Sequence, residues 1–64
     1  MTYKEAVKLL RKKMLLTQTE FANELGVSFA TINRWENGAY EPTMKMKRKL
    51  APLFKKYSIV VEVK

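Results

Sequence analysis

The chain contains no cysteine and no histidine among its 64 residues. Without cysteine there is no disulfide, no thiolate metal site and no thiol nucleophile. Without histidine the commonest general base and the commonest metal ligand are both missing. No enzymatic activity, metal or cofactor is expected. Long apolar runs are missing too. Stretches such as Met14-Leu15-Leu16 and Ile59-Val60-Val61 fall far below the roughly 18 residues that a membrane span requires. No segment reads as a signal peptide, so a cytoplasmic location and no membrane partner are the expectations. Acidic residues are scarce: 6 Asp+Glu stand against 13 Lys+Arg, a net charge of +7 and a pI near 9.9. A basic chain of this kind most often binds something anionic.

What is present argues for a folded domain. Hydrophobic residues make up 47% of the chain and aromatics 11%, too many for a disordered segment. A chain this short buries only roughly 60% of its unfolded surface, so one domain over residues 1–64 is expected. The charge is unevenly placed. Residues 1–17 carry five basic residues against one acidic, residues 18–42 one against four, and residues 43–64 seven against one. An acidic centre between basic flanks suits a specific reader held between two positive clamps. The plain alternative is that the lysines solvate helix faces.

Four helices follow from caps and spacing. Thr2-Tyr3-Lys4-Glu5 has the form of a capping box, and Val7, Leu10 and Met14 recur at helical spacing, predicting a helix from about Tyr3 to Lys13 or Met14. Arg11 sits toward its C-terminal end, where a cation suits the helix dipole. Thr17-Gln18-Thr19-Glu20 is a second capping box. It opens a short helix with Phe21, Ala22 and Leu25 on one face, stopped by Gly26. Ser28 is a good N-cap for a third helix, with Ile32 and Trp35 inward; Asn37-Gly38 ends it and Glu41-Pro42 makes a turn. A fourth helix starts at Pro42 or Thr43 and keeps its period through Met46, Leu50, Leu53, Phe54 and Tyr57. Pro52 interrupts that run, predicting a kink or restart near residues 50–52. Residues 58–64 turn β-branched and alternating, which predicts a strand.

The stretch from Gln18 to Asn37 is the informative part. Its two short helices meet at Gly26-Val27-Ser28, a tight turn that crosses them at a large angle. Close crossing needs a small residue at the contact, which Ala22 supplies, and tolerance of positive φ at the corner, which Gly26 supplies. Phe21, Leu25, Val27, Ile32 and Trp35 provide the inward apolar side. With Ile32 and Trp35 inward, Phe29, Ala30, Asn33, Arg34 and Asn37 face outward.

Here the sequence resembles the phage repressor and Cro class of helix-turn-helix DNA-binding domains, the XRE family. The matching residues are Leu16-Thr17-Gln18-Thr19-Glu20-Phe21-Ala22, Leu25-Gly26-Val27-Ser28, Ile32-Asn33-Arg34-Trp35-Glu36-Asn37-Gly38 and Pro42, within a resemblance over residues 7–54. It implies an all-α, lambda-repressor-like compact bundle of four or five helices, with a motif at residues 18–37. The segment 28–37 would be the recognition helix in the major groove of double-stranded DNA. Arg34 would then donate two hydrogen bonds to guanine or clamp a phosphate, Asn33 would pair with adenine, and Phe29 and Ala30 would touch a thymine methyl. The plain alternative for all four is a solvated helix face, and for Phe29 also partial packing on a neighbouring helix. By resemblance, Gln18 holds a phosphate with help from Thr17 and the adjacent helix N-terminus. Ser28 and the amide of Asn37 are further phosphate candidates. Arg11 and Glu36 match a family ion pair, with Arg11 also near the DNA backbone.

Two departures stand out. The family usually has glycine near Leu15, so this corner is built without it. Glu20 and Glu24 make the first motif helix acidic, so it is not expected to follow the DNA backbone over its full length. Lys12, Lys13, Lys45, Lys47, Arg48 and Lys49 would supply the sequence-independent attraction.

A lone strand is marginal in water. The 59–63 tail is therefore expected to pair with its copy in a homodimer, or to dock along the bundle. A two-fold dimer would set two recognition helices about 34–36 Å apart. The expected function is sequence-specific DNA binding by a repressor-like transcriptional regulator. One alternative is the antitoxin of a toxin–antitoxin pair, which binds a protein partner as well as DNA. Another is binding by charge alone, which lacks the roughly 10³-fold or greater site preference of direct readout.

Overall fold

The computed structural model describes residues 1–61. Four helices follow one another: α1 (Tyr3–Lys13), α2 (Gln18–Leu25), α3 (Phe29–Asn37) and α4 (Met44–Lys56). Among the described residues there is no strand.

Each helix starts on a hydroxyl cap. Thr2 and Thr17 accept from the amides of Glu5 and Glu20 at 3.3 and 3.1 Å. The two glutamates in turn accept from the Thr2 and Thr17 amides at 3.3 and 2.9 Å. Both expected capping boxes are thus closed in both directions. Ser28 caps α3 through the Thr31 amide at 3.2 Å, and Thr43 caps α4 through that of Met46 at 3.4 Å.

All four helices also stop in the same way. A residue in the left-handed region donates its amide three residues back, and the next residue donates five back. Gly26 bonds to Asn23 and Val27 to Ala22; Gly38 bonds to Trp35 and Ala39 to Arg34. Leu15 repeats the pattern with Lys12 and Leu16 with Arg11, as do Ser58 with Lys55 and Ile59 with Phe54. This is the Schellman closure, which satisfies carbonyls the helix leaves over. Its left-handed residue is glycine twice (φ 72° and 77°) but Leu15 (φ 59°) and Ser58 (φ 56°) at the other two ends. The missing glycine near residue 15 therefore leaves the corner geometry intact and transfers the strain to a leucine. That strain is of order 1–2 kcal/mol for a side chain with a Cβ.

The core joins Ala6, Val7 and Leu10 of α1 to Phe21, Ala22 and Leu25 of α2, Ile32 and Trp35 of α3, Leu50 and Phe54 of α4, and Ile59. The residues that follow three of the left-handed positions, Leu16, Val27 and Ile59, all pack against it. The stop signals thus also steer apolar side chains inward. α3 packs against both α1 and α2, which fixes its orientation from two sides.

Two open expectations are narrowed. Pro52 does not make α4 restart; the helix runs unbroken from Met44 to Lys56 with Pro52 inside it. The proline removes the bond to the Arg48 carbonyl, but Pro52 and Arg48 are both exposed, so water reaches the freed oxygen. Leu50 and Phe54 are buried on either side and hold the register. The tail forms no strand over residues 58–61. Ser58 turns the chain and Ile59 docks into the core. This is the second of the two arrangements expected for it, and residues 62–64 lie outside the described region.

Candidate nucleic-acid interface

α3 has two unlike flanks. Ile32, Trp35 and Glu36 are buried, while Phe29, Ala30, Arg34 and Asn37 are exposed and Asn33 is half-buried. Helical periodicity alone separates the two sets. Phe29 is 50% exposed, so it covers part of its neighbourhood and still offers a ring face outward. Ser28 stands at the start of the flank, its hydroxyl 2.9 Å from that of Thr31.

The far end of α3 is tied to the start of α2. Glu36, only 6% exposed, accepts from Arg11 Nε at 2.7 Å and Nη2 at 3.0 Å. Gln18 Nε2 donates to the same carboxylate at 3.2 Å. Arg11 Nη1 donates to the Leu16 carbonyl at 3.1 Å, inside the corner made by Leu15. The hydrogen bonds to Glu36 raise the Arg11 guanidinium above its ordinary value, with burial acting against them. This expected ion pair is present in the fold, and it draws Arg11, Gln18 and the last turn of α3 into one network. Three of the five Arg11 N–H groups are spent internally; one Gln18 amide hydrogen remains beyond its bond to Glu36.

Thr17 precedes Gln18 as the cap of α2, with its hydroxyl already accepting from Glu20. The hydrogen bonds from Thr17, its backbone amide foremost, lower the Glu20 carboxyl below the usual carboxylate range. Glu24 is exposed further along α2. The Thr17–Gln18 end and the outward flank of α3 are thereby fixed relative to each other by side chains, not only by the turn between the helices.

A helix-turn-helix family model matches residues 7–59, more than three-quarters of the chain and all of this network. The chain belongs to the helix-turn-helix family. A relative in Methanocaldococcus jannaschii bears the name of an uncharacterized HTH-type transcriptional regulator. It is 41% identical over 51 residues, covering 80% of this chain and 77% of the relative. No solved structure matches at a significant level. The helix-turn-helix resemblance read on residues from Leu16 to Pro42 thus has independent support, and the protein is of the kind whose members regulate transcription through DNA.

The helix-turn-helix domain does not hold all its cations in reserve. Lys49 Nζ donates to the Leu25 carbonyl at 2.7 Å, closing the end of α2, and Lys13 Nζ donates to the Tyr57 carbonyl at 3.3 Å. Lys47 lies 3.7 Å from Glu41 and 4.7 Å over the Tyr3 ring. Lys12, Lys45 and Arg48 are exposed with no such partner among the described residues. Sequence spacing cannot make this division, because Lys49 and Leu25 are 24 residues apart. Spacing does not place Tyr40 either: its ring lies 5.8 Å from the Arg34 guanidinium. An aromatic residue two positions after a helix-ending glycine was the available signal. No helix among the described residues is long and apolar enough to cross a membrane.

Proposed function

We propose that the domain binds double-stranded DNA sequence-specifically and represses transcription by occupying an operator, with α3 in the major groove. The observation that carries this reading is the flank of exposed Phe29, Ala30 and Arg34 with half-buried Asn33, on a helix whose opposite flank is buried. In this reading Arg34 reads guanine, Asn33 reads adenine, and Phe29 and Ala30 meet thymine methyls. Thr17, Gln18, Ser28 and the Asn37 amide hold phosphates. Arg11 adds a phosphate contact through its remaining N–H groups, while its pair with Glu36 keeps Gln18 aimed.

The free cations Lys12, Lys45 and Arg48 supply attraction independent of sequence, so affinity falls steeply with salt, by a log–log slope near −0.9 per phosphate neutralised on B-form DNA. Selection of bound duplexes from a random pool tests the reading. A defined site at least about 10³-fold preferred is expected; equal binding of all duplexes would leave charge alone as the explanation.

Assembly of two copies through the tail face belongs to the same proposal. Val60 is 79% exposed beside the docked Ile59, and Tyr3, Ala51 and Phe54 line an apolar groove next to it. Removing residues 60–64 leaves Ile59 in the core; analytical ultracentrifugation is then expected to show the loss of a dimer. A small protein that co-purifies through this face would favour the antitoxin alternative.

A further inference from the structure

We propose that Tyr40 is a specificity-determining residue that positions Arg34, its ring supporting the guanidinium so that the whole donor edge stays available for guanine. The inference rests on α3 being the base-reading helix.

The loop after α3 builds this contact. Gly38 turns the chain in the left-handed region (φ 77°). The Ala39 amide then donates to the Arg34 carbonyl at 2.9 Å, pinning the returning backbone to residue 34. The next side chain is Tyr40, and the Arg34 Cζ lies over its ring, 5.8 Å from the centroid. That distance is within reach of a cation–π attraction. Beyond Tyr40 the loop is anchored again, by Glu41 against Lys47 at 3.7 Å and by the buried Pro42.

The chemistry favours readout over structure. Arg11 shows what a structural arginine does here: it spends three N–H groups on Glu36 and Leu16. The Arg34 guanidinium makes no hydrogen bond or ion pair among the described residues. Glu41, the acid in its own loop, is engaged by Lys47. A ring is attracted to the guanidinium face and consumes none of the donors in its plane. Arg34 is therefore restrained and fully unsatisfied at once, the state in which bidentate binding to a guanine edge loses least side-chain entropy. Tyr40 is 53% exposed, so the core does not require its ring.

The test uses the full chain and its selected duplex, with every single-base-pair variant of the site measured for Arg34→Ala, Tyr40→Ala, Tyr40→Leu and Tyr40→Phe. Melting by circular dichroism checks that each variant is folded. Tyr40→Ala and Tyr40→Leu are expected to lower discrimination about two- to tenfold, only at the base pair where Arg34→Ala abolishes it. Tyr40→Phe keeps the ring and is expected to keep the discrimination. In the Arg34→Ala background, Tyr40→Ala should change base preference no further.

The proposal is overturned if Tyr40→Ala weakens all duplexes alike, which makes Tyr40 a backbone contact. It is also overturned if Tyr40→Phe behaves like Tyr40→Ala, which makes the hydroxyl the active group, or if Tyr40→Ala leaves base preference intact. In each of these cases Arg34→Ala still alters the selected site. Should Arg34→Ala itself leave the site unchanged, the base-reading assignment of Arg34 fails first and the role of Tyr40 falls with it.

Discussion

Arg11 and Glu36 meet in a two-pronged ion pair, with N–O distances of 2.7 and 3.0 Å across 25 residues of chain. The pair fastens the last turn of α1 to the last turn of α3, and Gln18 of α2 shares the same carboxylate. Breaking it by Glu36→Ala leaves a mostly buried guanidinium uncompensated and releases Gln18. The expected cost is at most about 3–5 kcal/mol, the value for a fully buried pair, read from denaturant unfolding. DNA affinity should be compared only where the variant is folded. A loss below about 1 kcal/mol would mean that Arg11 finds solvent easily.

Leu15 occupies a left-handed position at φ 59° with 90% of its surface exposed. It gains nothing from packing to offset the strain. Leu15→Gly should remove about 1–2 kcal/mol of strain against about 0.5–1 kcal/mol of added chain entropy, a net stabilisation of up to about 1.5 kcal/mol. Leu15→Ala keeps a Cβ and should not stabilise. Equal melting temperatures for the two variants would contradict the strain account.

The Glu5 and Glu20 carboxyls both lie below the ordinary carboxylate range. The Thr2 side chain is the main cause for the first and the Thr17 amide for the second. Carboxyls lowered on folding stabilise the protein above their unfolded value and lose that contribution as the pH falls through the folded one. Stability should therefore be flat from neutral pH down to about 4.5 and decline below it. The double variant Glu5→Gln, Glu20→Gln should be less stable at neutral pH and show a shallower acid decline. An unchanged acid slope would show that other groups govern it.

Arg34 and Lys49 are both cations but should fail differently. Arg34→Ala is expected to reduce discrimination by about 1–3 kcal/mol at particular base pairs with the fold retained. Lys49 spends its ammonium on the Leu25 carbonyl. Lys49→Ala should cost about 1 kcal/mol of stability and leave the salt dependence of binding unchanged. Arg48→Ala, with no internal partner, should weaken all duplexes alike and flatten the salt slope by about one unit if it meets a phosphate. A reduced salt slope for Lys49→Ala would show that the carbonyl contact gives way to DNA.

Most of the candidate site was legible because its determinants are local. A capping box needs residues three apart, and helical period sets Ile32 and Trp35 against Asn33 and Arg34. The corner at Gly26 needs a residue that tolerates positive φ, and only glycine advertises that. Leu15 and Ser58 adopt the same conformation without advertising it, so the helix ends were legible there but the left-handed residue was not. The β-branched run at residues 58–64 suggested a strand by propensity, yet β-propensity describes fit to a sheet, and among the described residues no sheet exists for it to join. The turn at Gly38 brings the Tyr40 ring to Arg34, a contact that helical period does not encode.

From residue order alone came the helix starts, the two glycine stops, the buried stripe of each helix and the family's pattern from Leu16 to Pro42. All of these depend on interactions within about five residues, where covalent geometry leaves few choices. Folding in three dimensions decided which lysines are spent, where Ile59 rests, how α4 carries Pro52 and that Arg11, Gln18 and Glu36 share one charge. Those outcomes depend on helices meeting across 18 to 44 residues. There, burial and the demand to satisfy every enclosed polar group select the partner, and spacing along the chain carries no trace of the choice.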